Sequence, residues 1–238
     1  MNSFPRFAGV MIAGLLGACS GLPATTIQAT DHSVVIPSLR VGWTLSKSTE
    51  APSTPHDGHG IELGVTGGRG SDSQSLVAGQ PPVQIGGVTF IAPQTLQYEF
   101  DFTFYDVSYR WRRFLAGSSV GFEVLAGAGY AQLDFTASSP TRQATESLSS
   151  VGITTAVGLI WRMLPGTSLH ARLGGYWSGA SNDVVQSDRV ELHIAQALGR
   201  NAVARVGYAR WRAETDRTGS SNLEIEFSGP TLGLEFQF

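Results

Sequence analysis

Tyr98-Glu99-Phe100-Asp101-Phe102-Thr103-Phe104-Tyr105-Asp106-Val107-Ser108-Tyr109-Arg110-Trp111-Arg112 is the stretch on which the fold turns. Apolar and polar residues alternate along it. A period of two belongs to a β-strand whose faces meet different surroundings, since a helix would repeat at 3.6 residues. Phe100, Phe102 and Phe104 oppose Glu99, Asp101 and Thr103; beyond Tyr105-Asp106 the apolar positions become Val107, Tyr109 and Trp111. This change of phase predicts a β-bulge at that point.

The same period runs through the chain downstream of Ile36. Leu39, Val41, Trp43 and Leu45 alternate with polar or small residues, as do Ile61 to Val65, Phe122 to Tyr130, Val151 to Trp161, Leu169 to Trp177, Val190 to Ile194, Ala204 to Tyr208 and Leu232 to Phe238. Counted back from Phe238, strands are predicted over 223–238, 202–212, 189–197, 168–177, 150–161, 120–135 and 98–112, with 61–66 and 39–46 as further candidates. Tight turns at Leu164-Pro165-Gly166-Thr167, Leu198-Gly199-Arg200-Asn201 and Phe114 to Ser118 alternate with polar loops expected over 136–146, 178–188 and 214–221. Short turns at one end and long loops at the other are the plan of an all-β, antiparallel up-and-down transmembrane β-barrel. Nine candidate strands would be odd, and single-chain bacterial barrels are even. Eight strands are therefore expected, with ten as the alternative if 83–91 adds one.

The 238 residues carry a formal net charge of -3 and one cysteine. Interspersed charges give no basic stripe, so no nucleic-acid partner is expected. A mean hydropathy of +0.01 without a long apolar run excludes a helical membrane protein. A barrel stays open, because its alternation averages to neutral. With a single thiol there is no internal disulfide.

At the amino end, Arg6 precedes an apolar run from Phe7 to Leu16 and the small residues of Leu16-Gly17-Ala18-Cys19. The layout is that of an export signal, and the last four residues resemble the lipobox of bacterial lipoproteins. The resemblance implies that residues 1–18 are a signal peptide, that Cys19 becomes a lipidated amino terminus, and that 19–35 form a linker to a barrel over 36–238. Ser20 in place of Asp is the arrangement that favours onward transport to the outer membrane. An incidental thiol in an ordinary signal peptide is the alternative for Cys19. At the other end, Leu232 to Phe238 resembles the Phe-terminated last strand read by the barrel-assembly machinery. The chain as a whole resembles the OmpA/OmpX-like small outer-membrane barrels of Gram-negative bacteria.

Alternation does not say which face looks outward. A lipid-tethered soluble barrel of the lipocalin type, binding a small hydrophobic ligand, is the main competitor, although Val41-Gly42-Trp43 lacks that family's Gly-x-Trp signature. An apolar face turned to lipid is favoured by the mixture of Gly, Arg, Glu, His and Thr on the other face. Two aromatic belts favour it too: Trp111, Phe114, Trp161, Phe236 and Phe238 near the turns, with Tyr130, Trp177, Tyr208 and Trp211 near the loops.

The inward face then holds Glu123, Arg162, His170, Arg172, Glu191, His193, Arg205 and Glu235, read as a charge network in a plugged lumen. Arg210 and Arg212 continue the phase of Tyr208 to headgroup height and are read as contacts to lipopolysaccharide phosphates, or as solvated at the loop edge. His56-Asp57-Gly58-His59 is the one dense His/Asp cluster in a loop, read as solvated and not as a metal site. Outer-membrane lipid A deacylases carry an adjacent His-Ser in a late strand. Here the one such dipeptide, His32-Ser33, precedes the barrel, so lipid A modification is a secondary reading. The expectation is a monomeric, non-enzymatic outer-membrane barrel without cofactor, presenting loops. Its partners are outer-membrane lipids, lipopolysaccharide, and the barrel-assembly and lipoprotein-export machineries.

Overall fold

The computed structural model describes residues 27–29, 37–45, 57–179, 183–199, 201–216 and 223–237. The signal segment, Cys19, His56 and Phe238 lie outside them. Among the described residues there is no helix. The strands are β1 (Ile27–Ala29), β2 (Ser38–Leu45), β3 (Gly58–Leu76), β4 (Val83–Ile85), β5 (Val88–Phe90), β6 (Gln94–Phe114), β7 (Val120–Ser138), β8 (Gln143–Leu164), β9 (Thr167–Trp177), β10 (Asp183–Ala197), β11 (Ala202–Asp216) and β12 (Leu223–Gln237).

One sheet runs β12-β11-β10-β9-β8-β7-β6-β3-β2 and closes on itself, because β2 also pairs with β12. Nine strands stand abreast around the ring, and short β1, paired alongside β12, makes ten in the sheet, so the expected eight is corrected. Both weak candidates, around 39–46 and 61–66, are in it as β2 and β3. The segment 83–91 is not a tenth strand: β4 and β5 form a separate hairpin around Gly86-Gly87, whose φ values of +52° and +76° suit a type I′ turn. An odd ring cannot be antiparallel throughout. The seam between β2 and β12 is parallel, from Ser38 beside Thr231 to Thr44 beside Gln237. Inside the expected linker, β1 pairs with Leu223 to Ile225 of β12, also in parallel. The amino-terminal strand thus starts at the loop end, whereas β12 finishes at the turn end.

The predicted bulge in β6 is absent. Tyr98 to Arg112 pairs residue by residue with β3 and β7, without a shift in register. What changes at Tyr105-Asp106 is polarity. Leu96, Tyr98, Phe100, Phe102 and Phe104 point inward, and so do Asp106, Ser108, Arg110 and Arg112; Glu99, Asp101 and Thr103 point outward, and so do Tyr105, Val107, Tyr109 and Trp111. The pleat continues while its two faces exchange character.

Every neighbouring long strand makes the same exchange at the matching height. On β7 the outward residues change from Tyr130 to Gln132, on β8 from Val151 to Ser149, and on β11 from Tyr208 to Arg210. The barrel therefore has two tiers. Towards the turns, apolar side chains cover the outside and charges fill the inside. Towards the loops, Ser, Thr, Asp, Glu and Arg cover the outside, and the inside is an aromatic core. There Phe102 meets Phe227 at 4.7 Å, Phe104 meets Trp211 at 5.1 Å, and Phe104 meets Tyr176 edge-on at 5.4 Å. Trp211 points into this core, in phase with Ala209 and Ala213, and does not belong to the outer belt.

Most of the expected long loops are strand. β7 runs to Ser138 and β8 begins at Gln143, so only 139–142 remain, closed by the Ser139 N–H donating to the Arg142 carbonyl at 2.7 Å. Their polar residues face outward, with Phe135, Ala137, Ala144 and Leu148 buried between them. The β4–β5 hairpin seals this end, burying Val83, Ile85 and Phe90 in the aromatic core. It is held by the Gly86 N–H donating to Glu146 at 2.9 Å and by Arg142 donating to the Thr89 carbonyl at 2.8 Å.

Truncating Phe102 to alanine in this core is expected to cost about 3–5 kcal/mol in denaturant unfolding. Thr103→Ala, one residue on and facing out, is expected to change stability by about 0.5 kcal/mol or less.

Candidate functional site

The turn-side interior is built from alternate residues of eight strands. Arg40 comes from β2, Glu62 from β3, Asp106, Arg110 and Arg112 from β6, Glu123 from β7, His170 and Arg172 from β9, Arg189, Glu191 and His193 from β10, Arg205 from β11 and Glu235 from β12, all buried. Wall glycines leave room for them. A Cβ on Gly158 would stand 3.0 Å from the Cγ atoms of both Arg172 and Glu123.

Glu62 is the hub. It accepts from Arg172 Nη1 at 2.6 Å and Nη2 at 3.1 Å, and from Arg40, Arg110 and Arg205 at 3.1 Å each. Glu235 accepts from Arg110 at 2.8 Å, Arg112 at 3.3 Å, Thr44 at 2.5 Å and Arg205. Glu123 accepts from Arg172 Nε at 2.5 Å and Arg112 at 3.3 Å. Glu191 lies 3.1 Å from Arg189 and 3.3 Å from Arg40, and Asp106 lies 3.4 Å from Arg40. Guanidiniums suit this task because their fork offers several donors at once and holds its charge when buried.

Seven of the eight residues expected in the lumen are here. Arg162 sits at the turn end, with its guanidinium stacked 3.6 Å over the Phe114 ring. The sequence reading missed Arg40, Glu62, Asp106, Arg110, Arg112 and Arg189. For the β6 residues the signal was present: Ser108, Arg110 and Arg112 oppose Val107, Tyr109 and Trp111 in strict alternation.

One subset has the order of a hydrolase triad. Ser168 Oγ lies 2.9 Å from His170 Nε2, and His170 Nδ1 faces Glu123 at 3.8 Å. That last distance is too long for the hydrogen bond that would orient the ring. Ser168 is wholly buried, so a substrate has no route to it. The His170 and His193 rings stack at 6.0 Å as part of the filling.

On the outer face, Arg210 and Arg212 stand just beyond Tyr208, as expected, and are held by acidic neighbours. Arg210 makes a two-pronged pair with Glu226 at 2.5 and 2.8 Å, and Arg212 lies 3.0 Å from Glu224 and 3.2 Å from Glu214. The cluster read as a loop is not one at its end: Gly58 and His59 open β3, Asp57 accepts from the Phe114 N–H at 2.6 Å, and His59 Nδ1 meets the Tyr109 hydroxyl. Among the described residues no group of His, Cys, Asp and Glu is arranged to hold a metal. In the loop-side core, burial and the neighbouring Asp72 push the Tyr98 phenol up from its ordinary range. Among the described residues that core is packed with aromatic rings and closed over by the β4–β5 hairpin.

Glu62→Gln would leave four guanidiniums around a neutral amide, and is expected to cost about 3–5 kcal/mol. Glu226→Gln, at an exposed pair, is expected to cost about 0–1 kcal/mol on the same unfolding assay. No family model, curated protein or solved structure matches this chain.

Proposed function

We propose that the chain is a non-enzymatic outer-membrane β-barrel of structural or interaction type: the turn-side tier spans the bilayer and the loop-side tier stands above it as a rigid platform. The observation that carries this reading is the continuous apolar outer belt around a charged interior. Val151, Ile153, Val157, Leu159, Leu173, Val206 and Leu232 each expose more than half of their surface. In water such a belt is an aggregation hazard, whereas in lipid it is the required surface.

The dimensions agree. From Val151 to Trp161 the outward face of β8 is apolar apart from Thr155 over about 33 Å of strand, or about 25 Å along the barrel axis at a tilt of ~40°. Tyr105, Tyr130, Trp177 and Tyr208 edge the belt on the loop side, with Trp43, Trp111, Phe122, Trp161 and Phe236 towards the turns, as interfacial aromatics do. Charged side chains pack the turn-side interior and aromatic ones the loop-side interior, which suits a barrel that does not conduct. Lipid and lipopolysaccharide are its surroundings, and the outer-membrane assembly machinery is its route there.

Sidedness follows from the parallel seam. β1 enters beside Leu223 at the loop end, the end that also carries the 139–142 hairpin. Cys19 precedes Ile27 by eight residues, which span at most about 28 Å. The turn end of β12 is about 46 Å of strand away from Leu223. A lipid on Cys19 therefore belongs to the loop-side leaflet.

Three measurements test this. The native protein is expected in the outer-membrane fraction with heat-modifiable gel migration; a soluble periplasmic protein indifferent to heating would refute the reading. Val157→Arg is expected to cost about 2–4 kcal/mol of folding into bilayers, and Ser147→Arg, on the polar tier, close to nothing. For sidedness, Thr25→Cys and Ser139→Cys are expected to react with an impermeant maleimide on intact cells, and Ser118→Cys only after the membrane is breached. Reaction of Thr25→Cys together with Ser118→Cys, and not with Ser139→Cys, would reverse the assignment.

A further inference from the structure

Each of the three tight turns carries an exposed leucine where its strand ends. Leu115 follows β6, Leu164 closes β8 and Leu198 follows β10, and all three expose more than half of their surface. On β8, Trp161, Met163 and Leu164 make one exposed apolar run. The apolar surface of the belt therefore does not stop at its turn-side aromatics but continues over the turns.

The backbone of these turns answers its own donors. The Leu115 N–H donates to the Val120 carbonyl at 3.0 Å, the Ala197 N–H to the Gly166 carbonyl at 2.8 Å and the Leu198 N–H to the Ala202 carbonyl at 2.8 Å. The Val120 N–H donates to Ser118 Oγ at 3.0 Å. A turn closed in this way can stand where water is scarce.

The charge at this end is positive. Outside the lumen, the described residues here carry Arg113 and Arg162 against one carboxylate, Asp57, which accepts from the Phe114 N–H. Arg113 faces outward beside Phe122, next to the edge-on contact of Phe122 with Trp111 at 5.3 Å. At the loop-side rim, by contrast, Arg210 and Arg212 are matched by Glu214, Glu224 and Glu226.

Height decides what these groups meet. Leu164 lies three residues beyond Trp161, about 10 Å of strand or about 8 Å along the barrel axis at a tilt of ~40°. The headgroup layer is about 5–8 Å thick on each side of the hydrocarbon. With the aromatics at the hydrocarbon edge, the leucines fall among the headgroups, where a guanidinium fork matches phosphate oxygens.

We propose that the turn end is a docking surface for anionic phospholipid: headgroups of the turn-side leaflet lap over the turns, the leucines sink among them, and Arg113 and Arg162 bind their phosphates. This rests on the membrane reading, and the experiment separates the two.

Leu115→Cys, Leu164→Cys and Leu198→Cys are made in a Cys19→Ser background, labelled with a polarity-sensitive dye and folded into vesicles of phosphatidylcholine and phosphatidylglycerol. Val157→Cys is the control in the belt and Thr141→Cys the control in water. Emission from the turn positions is expected to fall between the two controls. Quenching by headgroup-spin-labelled phosphatidylglycerol is expected to exceed that by phosphatidylcholine with the same label about three- to fivefold. Arg113→Gln is expected to remove most of that preference at Leu115→Cys. If Val157→Cys emits as in water, the membrane reading fails and this proposal with it. If Val157→Cys is shielded while the turn positions emit like Thr141→Cys, the barrel spans but its turns stand in water or against a soluble protein, which overturns the docking surface alone. Equal quenching by the two lipids overturns the selection of anionic headgroups. The leucines are exposed, so each variant is expected to fold; should one fail, the other two carry the same readout.

Discussion

Four guanidiniums from β2, β6, β9 and β11 meet on the carboxylate of Glu62, and that convergence decides how the turn-side tier can exist. A tier with its apolar residues outside gains nothing from burying them in water. A buried ion pair, for its part, roughly breaks even against the desolvation of its members. The network is therefore a condition for closing the ring more than a source of net stability: given the charges, each needs its partner, and the ring must close for the partners to meet. What favours the tier is the solvent around it. The loop-side tier works the other way. Its aromatic core would stabilise it in plain water, so the molecule joins a part that folds by ordinary burial to a part whose apolar residues lie on its outside.

The two tiers are joined without any break in the wall. β6 keeps its hydrogen bonds to β3 and β7 from Gln97 to Arg112, and a strand that holds its register must keep alternating. If its surroundings change along its length, the residue types must change faces while the pleat does not. Phe104 followed by Asp106 on the inside, and Thr103 followed by Tyr105 on the outside, are that exchange. Tyr105 and Tyr130 stack across β6 and β7 at 6.5 Å where it occurs. At the join the buried Arg189, Ser187 and Trp211 stand between an ionic layer and an aromatic one.

This explains which parts of the fold could be read in advance. Strand after strand was legible, because period-two alternation survives whichever face is apolar. The phase change in β6 was visible too, but one sequence cannot distinguish a bulge from an exchange of faces. Both move the apolar residues by one position, and only the pairing with β3 and β7 separates them. Trp211 was placed in a belt for the same reason, its neighbours Arg210 and Arg212 looking like a rim and not like the outer surface of a second tier. The polar runs 136–146 and 214–221 looked like loops because half of each strand there is Ser, Thr, Asp or Glu. The intervening Phe135, Ala137 and Ala144 were the evidence for strand. In the charge network, the late-strand residues were found by alternation. Arg40 and Glu62 were not, since short β2 and the glycine-rich first half of β3 were the stretch where strand identity was in doubt, and Arg189 was missed at the edge of its predicted strand.

The strand count has a physical reading of its own. An even ring pairs its first and last strands antiparallel, with both ends of the chain on one side; a ring of nine must join them in parallel. Here that join is short: β2 meets β12 only from Ser38 to Thr44, and β1 covers the far end of β12 from Ile27 to Ala29. Beyond Gly67, which donates to the Pro37 carbonyl, β3 continues to Leu76 paired with β6 alone. Among the described residues the wall is thus continuous around the charge layer, and the seam is short in the tier whose outer face is polar. In that tier an unpaired backbone group can be satisfied by water, whereas in an apolar belt it could not be. The odd ring is tolerable because its weak seam needs to be complete only over the apolar belt, and Ser38 to Thr44 cover that height.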